Sequence, residues 1–76
     1  MNEDKIKDII KIISKNTGID KDLIDKKTLM TDFPKWDSIA QVKIMVELEA
    51  KMKKKISTSK MSELKSVLNI IKFLDK

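Results

Sequence analysis

Apolar residues near the start of the chain recur at helical spacing. They follow the intervals i, i+3, i+4 and i+7, with one more isoleucine at the edge of the face: Ile6, Ile9, Ile10, Ile13 and Ile12. Asn2 is a suitable N-cap, and Gly18 suits the left-handed position that ends a helix. The pattern predicts a first helix from about Glu3 to Asn16, after which Ile19 can fold back onto the core.

Residues 19–36 form a long connection that lacks the spacing of a long helix. A short turn is predicted at Asp20–Ile24, and the segment ends at Pro34. Because 18 residues exceed a usual connection, we expect this segment to pack down onto the core. The side chains expected to hold it there are the large apolar ones: Leu23, Ile24, Leu29 and Phe33.

A second helix is predicted to start sharply after Asp37, a good N-cap. Its apolar face is read as Ile39, Val42, Met45, Val46, Leu48 and Met52, with Glu49 on the border. Ile44 falls off this face, and we expect it to be partly exposed. Trp36 is either a recognition residue or a hydrophobic anchor beside the helix start, and we favour the anchor.

The last third of the chain predicts one short helix and one longer one. The run at 57–59, Ser-Thr-Ser, offers caps for a short turn with Met61 and Leu64. Ser66 can cap a final helix whose buried stripe is Val67, Ile70, Ile71 and Leu74. The expected fold is therefore all-α: a small four-helix bundle with three longer helices, one short helix and a long loop between the first two.

The composition narrows the function. Seventy-six residues suit one domain, expected to span 1–76, and the chain contains neither cysteine nor histidine. It therefore lacks a thiol nucleophile, the commonest general base and the commonest zinc ligands, and we expect a non-catalytic protein that binds no metal. The charged N-terminus and the absence of a 20-residue apolar run predict a cytoplasmic protein without membrane segments.

The net charge of +5 raises the alternative of a basic binding module. All 17 basic residues are lysine, and they are interleaved with 12 acidic residues. Residues 1–36 hold eight lysines against seven acids, and residues 37–76 hold nine against five, partly in the run Lys53–Lys55. The absence of arginine weakens a nucleic-acid function. We interpret the run as a solvated helix end or loop, and keep a module for nucleic acid or an acidic protein surface as the alternative.

Ser38 is the residue with the most distinctive chemical setting. It follows the predicted cap Asp37 and occupies the first position of the second helix. A hydroxyl there lies at the positive end of the helix dipole, beside backbone N–H groups without intrahelical partners. Such a position favours a phosphate group, although an Asp-Ser pair is also a common helix start.

The residues around Ser38 resemble the attachment site of acyl carrier proteins. The stretch Phe33-Pro34-Lys35-Trp36-Asp37-Ser38-Ile39-Ala40-Gln41-Val42 is similar to the family pattern of Asp-Ser-Leu followed by an amphipathic helix, and many free-standing members place Trp before the Asp. The resemblance extends over the whole chain, since each helix and the long loop of the family have counterparts here. It implies a carrier protein of the same fold.

The resemblance also implies the site and its partners. A phosphopantetheinyl transferase would attach 4'-phosphopantetheine to Ser38, with Asp37 as helix cap and as part of transferase recognition. The attached arm would carry an acyl, aminoacyl or hydroxyacyl group as a thioester between acyl-loading and acyl-transfer enzymes. Ile39, Val42 and Met45 would form the docking face or the upper core, with Lys43 and Glu47 also facing partners. A monomer that does not bind nucleic acid is expected.

The charge of the second helix differs from that of typical carriers. Members of the family display carboxylates along this helix, whereas here Lys43 and Lys51 alternate with Glu47 and Glu49. Charge complementarity sets partner choice and association rate more than affinity. We therefore expect enzymes of a specialised pathway, not those of housekeeping fatty-acid synthesis, to act on this chain.

Overall fold

A computed structural model describes residues 2–75 and contains four α-helices within that range. They are α1 (Glu3–Thr17), α2 (Ser38–Met52), α3 (Thr58–Glu63) and α4 (Val67–Leu74). Two single-turn 3-10 helices, Lys21–Leu23 and Met30–Asp32, lie between α1 and α2, and the described residues form no strand beyond one isolated antiparallel bridge. The prediction of a small helical protein with four helices is confirmed, and the arrangement is compatible with an all-α bundle; α4, with 8 residues, is closer in length to α3 than to the two 15-residue helices.

Side-chain caps begin all four helices. Asn2, Asp37, Ser57 and Ser66 each accept a hydrogen bond from the backbone N–H three residues later, at donor–acceptor distances of 2.9 to 3.1 Å. These bonds satisfy N–H groups that the helices leave without partners. The predicted caps are therefore confirmed.

The two longest helices end in the left-handed conformation. Gly18 has φ 78° and donates its N–H to the Ser14 carbonyl (2.8 Å), so α1 ends at Thr17, one residue later than predicted. At the end of α2, Lys53 adopts the same left-handed conformation, with φ 54°. This conformation costs a non-glycine residue roughly 1 kcal/mol.

The core lies where α1 packs against α2 and α4. Fully buried side chains from three helices fill it: Ile9, Ile13, Ile44, Met45, Leu48, Val67 and Ile70. On α1, Ile12 is buried, whereas Ile10 is half-buried because it borders a surface groove beside Ile24. Ile19 is buried in the same core, as expected, and Leu74 is half-buried at the end of α4.

The predicted inner face of α2 is confirmed at Met45 and Leu48, which are completely buried, and is wrong at the residues of the opposite side. Ile44 is completely buried, whereas Ile39 is 70% exposed and Val42 and Val46 are each 53% exposed. The buried residues of α2 are instead Ala40, Gln41, Ile44, Met45 and Leu48. Apolar residues lie on both sides of this helix, so their spacing alone did not determine which side is buried.

The long connection is held down differently from the prediction. Its first turn is confirmed, and Ile24 and Phe33 pack into or against the core, but Leu23 and Leu29 are 62% and 47% exposed. Backbone pairing replaces the leucines: the Met30 N–H donates to the Lys65 carbonyl (2.8 Å). The Val67 N–H donates to the Thr28 carbonyl (3.1 Å), so the connection is tied to the α3–α4 loop and to the first residue of α4.

Candidate functional site

Ser38 is the first residue of α2 and is exposed to solvent. The Asp37 side chain folds back over the helix end and accepts a hydrogen bond from the Ala40 N–H (2.9 Å). The Asp37 carbonyl accepts the first intrahelical bond, from the Gln41 N–H (2.9 Å). The hydroxyl that the sequence singled out therefore stands at a well-capped helix N-terminus.

A buried polar network fixes the chain on both sides of Ser38. The Trp36 indole Nε1 donates to the Gln41 Oε1 (2.7 Å), and the Gln41 Nε2 donates to the Met61 carbonyl (2.9 Å) and the Leu64 carbonyl (2.8 Å). One buried amide therefore connects the residue before the cap, the first turn of α2 and the end of α3. Its full complement of partners allows a polar side chain to lie in the core.

Trp36 and Gln41 stand at the two positions of a hydrophobic staple. Trp36 precedes the N-cap, and Gln41 is the fourth helical residue, so this spacing normally brings two apolar side chains together. Here the contact is a hydrogen bond, and Trp36 is only 2% exposed. The burial supports the interpretation of Trp36 as an anchor, since a buried indole does not contact a partner directly. The staple spacing is the signal from which the Gln41 contact could have been predicted.

A groove of ≈ 300 Å³ opens beside Ser38, between α2 and α3. One part of its lining is apolar: Met30, Val42 and Met61. The rest is polar: Ser38, Gln41, Thr58, Ser62 and Lys65. The groove gives Ser38 an adjoining surface of mixed character with one cationic side chain.

The residues predicted to face partners occupy three different environments. Ile39, Val42 and Lys43 are exposed on α2. Met45 is completely buried and therefore belongs to the core, the second of the two positions considered for it. Glu47 is half-buried and contacts α1, where the Lys15 Nζ and the Asn16 Nδ2 each lie 3.1 Å from its carboxylate oxygens.

Both glutamates of α2 make intramolecular contacts. Hydrogen bonds from Asn16 and Lys15 hold the pKa of Glu47 below its ordinary value of 4.5, against a smaller opposing effect of burial. The Glu49 Oε2 accepts a hydrogen bond from the Ile56 N–H (2.8 Å) in the loop after α2. The carboxylates of α2 therefore serve its packing against α1 and the α2–α3 loop.

The lysine run lies at the end of α2 and in the following loop. Lys53 ends the helix and Lys55 is exposed. The Lys54 Nζ lies 5.1 Å from the centre of the Phe73 ring, and the Lys60 Nζ lies 5.6 Å from it, which are cation–π distances. This arrangement agrees with the interpretation as a helix end and loop.

Neither the protein-family models nor the curated proteins contain a match for this chain. Among residues 2–75, no three acidic side chains come together as a metal site would require, and none of the helices has the length and apolar character of a transmembrane span.

Proposed function

We propose that this chain is a non-catalytic acyl carrier protein whose prosthetic arm is attached to Ser38. The carrying observation is the exposed Ser38 at the first position of α2, directly after the Asp37 cap. Residues 33–42 supply the resemblance to the family, and the four-helix architecture is compatible with it. The proposed setting is a specialised cytoplasmic pathway.

The electrostatics of the site suit a phosphodiester on Ser38. The first turn of α2 presents N–H groups without intrahelical partners, and the helix dipole favours negative charge there. The Asp37 carboxylate occupies the Ala40 N–H but leaves the Ser38 hydroxyl exposed. Lys65, in the groove beside Ser38, adds a positive charge.

Apart from the Ser38 hydroxyl, to which the arm is attached, the chain's own residues would position the arm and would not react. When bound, 4'-phosphopantetheine supplies a terminal thiol that carries an acyl group as a thioester, a group that no side chain of this sequence provides. Trp36 and Gln41 hold the start of α2 rigidly against the end of α3. The apolar part of the groove, Met30, Val42 and Met61, offers contact area next to Ser38.

Intact-protein mass spectrometry tests the proposal. The native chain is incubated with coenzyme A, Mg²⁺ and a broad-specificity phosphopantetheinyl transferase, alongside Ser38→Ala. We expect the native mass to increase by one phosphopantetheinyl group and the Ser38→Ala mass to stay unchanged. Asp37→Asn is a matched variant that keeps a capping side chain and removes only the charge, so slower modification at unchanged stability would assign the charge to transferase recognition.

The contrary outcome is equally informative. If the mass does not change with that transferase or with one from the source organism, Asp37-Ser38 is only a helix start. The basic binding module then becomes the leading function. Its affinity would decrease steeply with salt and would survive Ser38→Ala.

A further inference from the structure

One side of α2 presents an unusual amount of apolar surface to solvent. Ile39, Val42 and Val46 follow the spacing i, i+3 and i+7, and each is more than half exposed. Lys43 and Ala50 are exposed between and beyond them. These five residues form one face, which we call the α2 outer face. A contiguous exposed apolar stripe of this kind marks an interaction surface more often than scattered single residues do.

The charge on and beside this face is positive because the α2 glutamates point to its two sides. The Glu47 carboxylate lies on the α1 side and contacts Lys15 and Asn16. The Glu49 carboxylate lies on the opposite side and accepts the Ile56 N–H. Lys43 is therefore the charged residue of the α2 outer face.

Near the Ser38 end of the face, charges of both signs are exposed, and the lysines outnumber the acidic residue. Lys35 and Lys65 are exposed there, and Lys65 lines the groove beside Ser38. Asp37 is the acidic residue at this end, and its carboxylate is hydrogen-bonded to the Ala40 N–H. The sequence pattern alone, in which lysines and glutamates alternate along α2, does not reveal this separation of charge.

We propose that the α2 outer face docks onto an apolar surface rimmed by Asp and Glu on the enzymes that act at Ser38. This inference rests on the proposed carrier function and names the chemistry of its partners. The face is continuous with the site, because Ile39 directly follows Ser38 and Val42 lines the adjoining groove. A carboxylate rim would meet Lys43 and the neighbouring lysines favourably, whereas a lysine- or arginine-rich rim would repel them.

A protein partner fits this face better than a lipid surface or a second copy of the chain. Interfacial helices bind bilayers through broad apolar faces that include Trp, Phe or Leu, whereas the apolar part of this face is two valines, one isoleucine and one alanine. Two copies docked through this face would bring their Lys43 side chains together, in a chain whose net charge is already +5.

A charge-exchange binding experiment tests the partner chemistry. The probe is a phosphopantetheinyl transferase with a lysine- and arginine-rich carrier-binding surface, used as such and in a version with those residues changed to Glu. Affinities for the apo chain are measured by calorimetry without coenzyme A. We expect the native chain to bind the Glu-rimmed version about tenfold more tightly.

Matched variants assign the effect to the α2 outer face. Lys43→Glu should remove most of the preference for the Glu-rimmed transferase, while Lys11→Glu, the same charge change at an exposed site on α1, should preserve it. Val46→Ser should weaken binding about threefold or more, whereas Leu68→Ser, at an exposed site on α4, should leave it unchanged. Circular dichroism verifies that each variant is folded.

Three outcomes would overturn the inference. The native chain could bind the basic transferase more tightly, or Lys43→Glu and Lys11→Glu could change the preference for the Glu-rimmed transferase equally. The third is Val46-dependent binding to phosphatidylserine vesicles without binding to the Glu-rimmed transferase. The mass of the modified chain separates this failure from that of the proposed function. Modification of Ser38 without the charge preference rejects only the partner chemistry. A charge preference without modification of Ser38 rejects the carrier function.

Discussion

α1 and α2 have the same length, 15 residues, but bury their apolar residues in different ways. In α1 the isoleucines point inward and the outer side is charged, so the sequence pattern identified its buried side correctly. The exception is that Ile12, predicted at the edge of the face, is buried, and Ile10, predicted within it, is half-buried. In α2 apolar residues lie on both sides, and a glutamine lies inside. In α1 burial in the core accounts for the apolar pattern, whereas the outer side of α2 carries apolar residues that the core does not cover.

The largest expected effect on the free energy of unfolding comes from replacing isoleucine by alanine on the buried side of α2, and the same replacement on the exposed side is its control. Ile44→Ala removes a completely buried side chain and should lower the free energy of unfolding by about 2–5 kcal/mol. Ile39→Ala, at a 70% exposed site, should lower it by less than about 0.5 kcal/mol. Urea unfolding followed by circular dichroism measures both.

A comparable loss of stability for the two variants would contradict the expected difference between the buried and exposed sides of α2. It would mean that Ile39 is part of the core and that α2 has no free outer face. If instead Ile39→Ala is stable but binds the transferase more weakly, the separation between fold and function on this helix is sharpened.

The second prediction concerns the polar residue inside α2. Gln41→Met keeps the volume but leaves the Trp36 indole N–H and two backbone carbonyls without the Gln41 amide, which should cost about 2–3 kcal/mol. Trp36→Phe removes the indole donor in a matched variant. In a double-mutant cycle the combined loss should be smaller than the sum of the single losses.

Hydrogen exchange of the Trp36 indole proton gives an independent measurement. In the native chain this proton is donated to Gln41 within the core, and its exchange should be slow. In Gln41→Met the exchange should accelerate. Equal exchange rates in the two proteins, or strictly additive losses in the cycle, would show that the contact does not hold the start of α2.

The starts of the helices and the end of α1 were predictable from the sequence because they depend on neighbouring residues, whereas the left-handed end of α2 at Lys53 was not predicted. Each capping side chain acts on a backbone N–H three residues away, and Gly18 adopts the left-handed conformation next to the helix that it ends. Asp37 and Ser38 could be located for the same reason. The local chemistry of the candidate site was therefore contained in a few consecutive residues.

The buried side of α2 was not predictable because it depends on distant residues. Gln41 lies in the core through its bonds to the carbonyls of Met61 and Leu64, which are 20 and 23 residues away along the chain. The exposed position of Leu29 likewise reflects backbone pairing between its segment and the α3–α4 loop. Periodicity reports which residues share a face, and not which of two apolar faces is covered.

The smallest predicted effect concerns the polar contact between α1 and α2 through Glu47. The folded pKa of Glu47 is lowered by Asn16 and Lys15, so this contact stabilises the fold fully above about pH 4.5 and is lost as the pH falls through the folded pKa. Because the carboxylate is one-third exposed, the contribution should be below about 1 kcal/mol and should decrease in 1 M NaCl. Glu47→Gln should therefore lose less stability than the native chain between pH 7 and pH 3 in urea unfolding. Glu63→Gln, which removes a carboxylate that contacts Lys60 within α3, is the matched control and should behave like the native chain. If Glu47→Gln and the native chain instead show the same pH dependence, the Glu47 contact between α1 and α2 does not contribute to the free energy of unfolding.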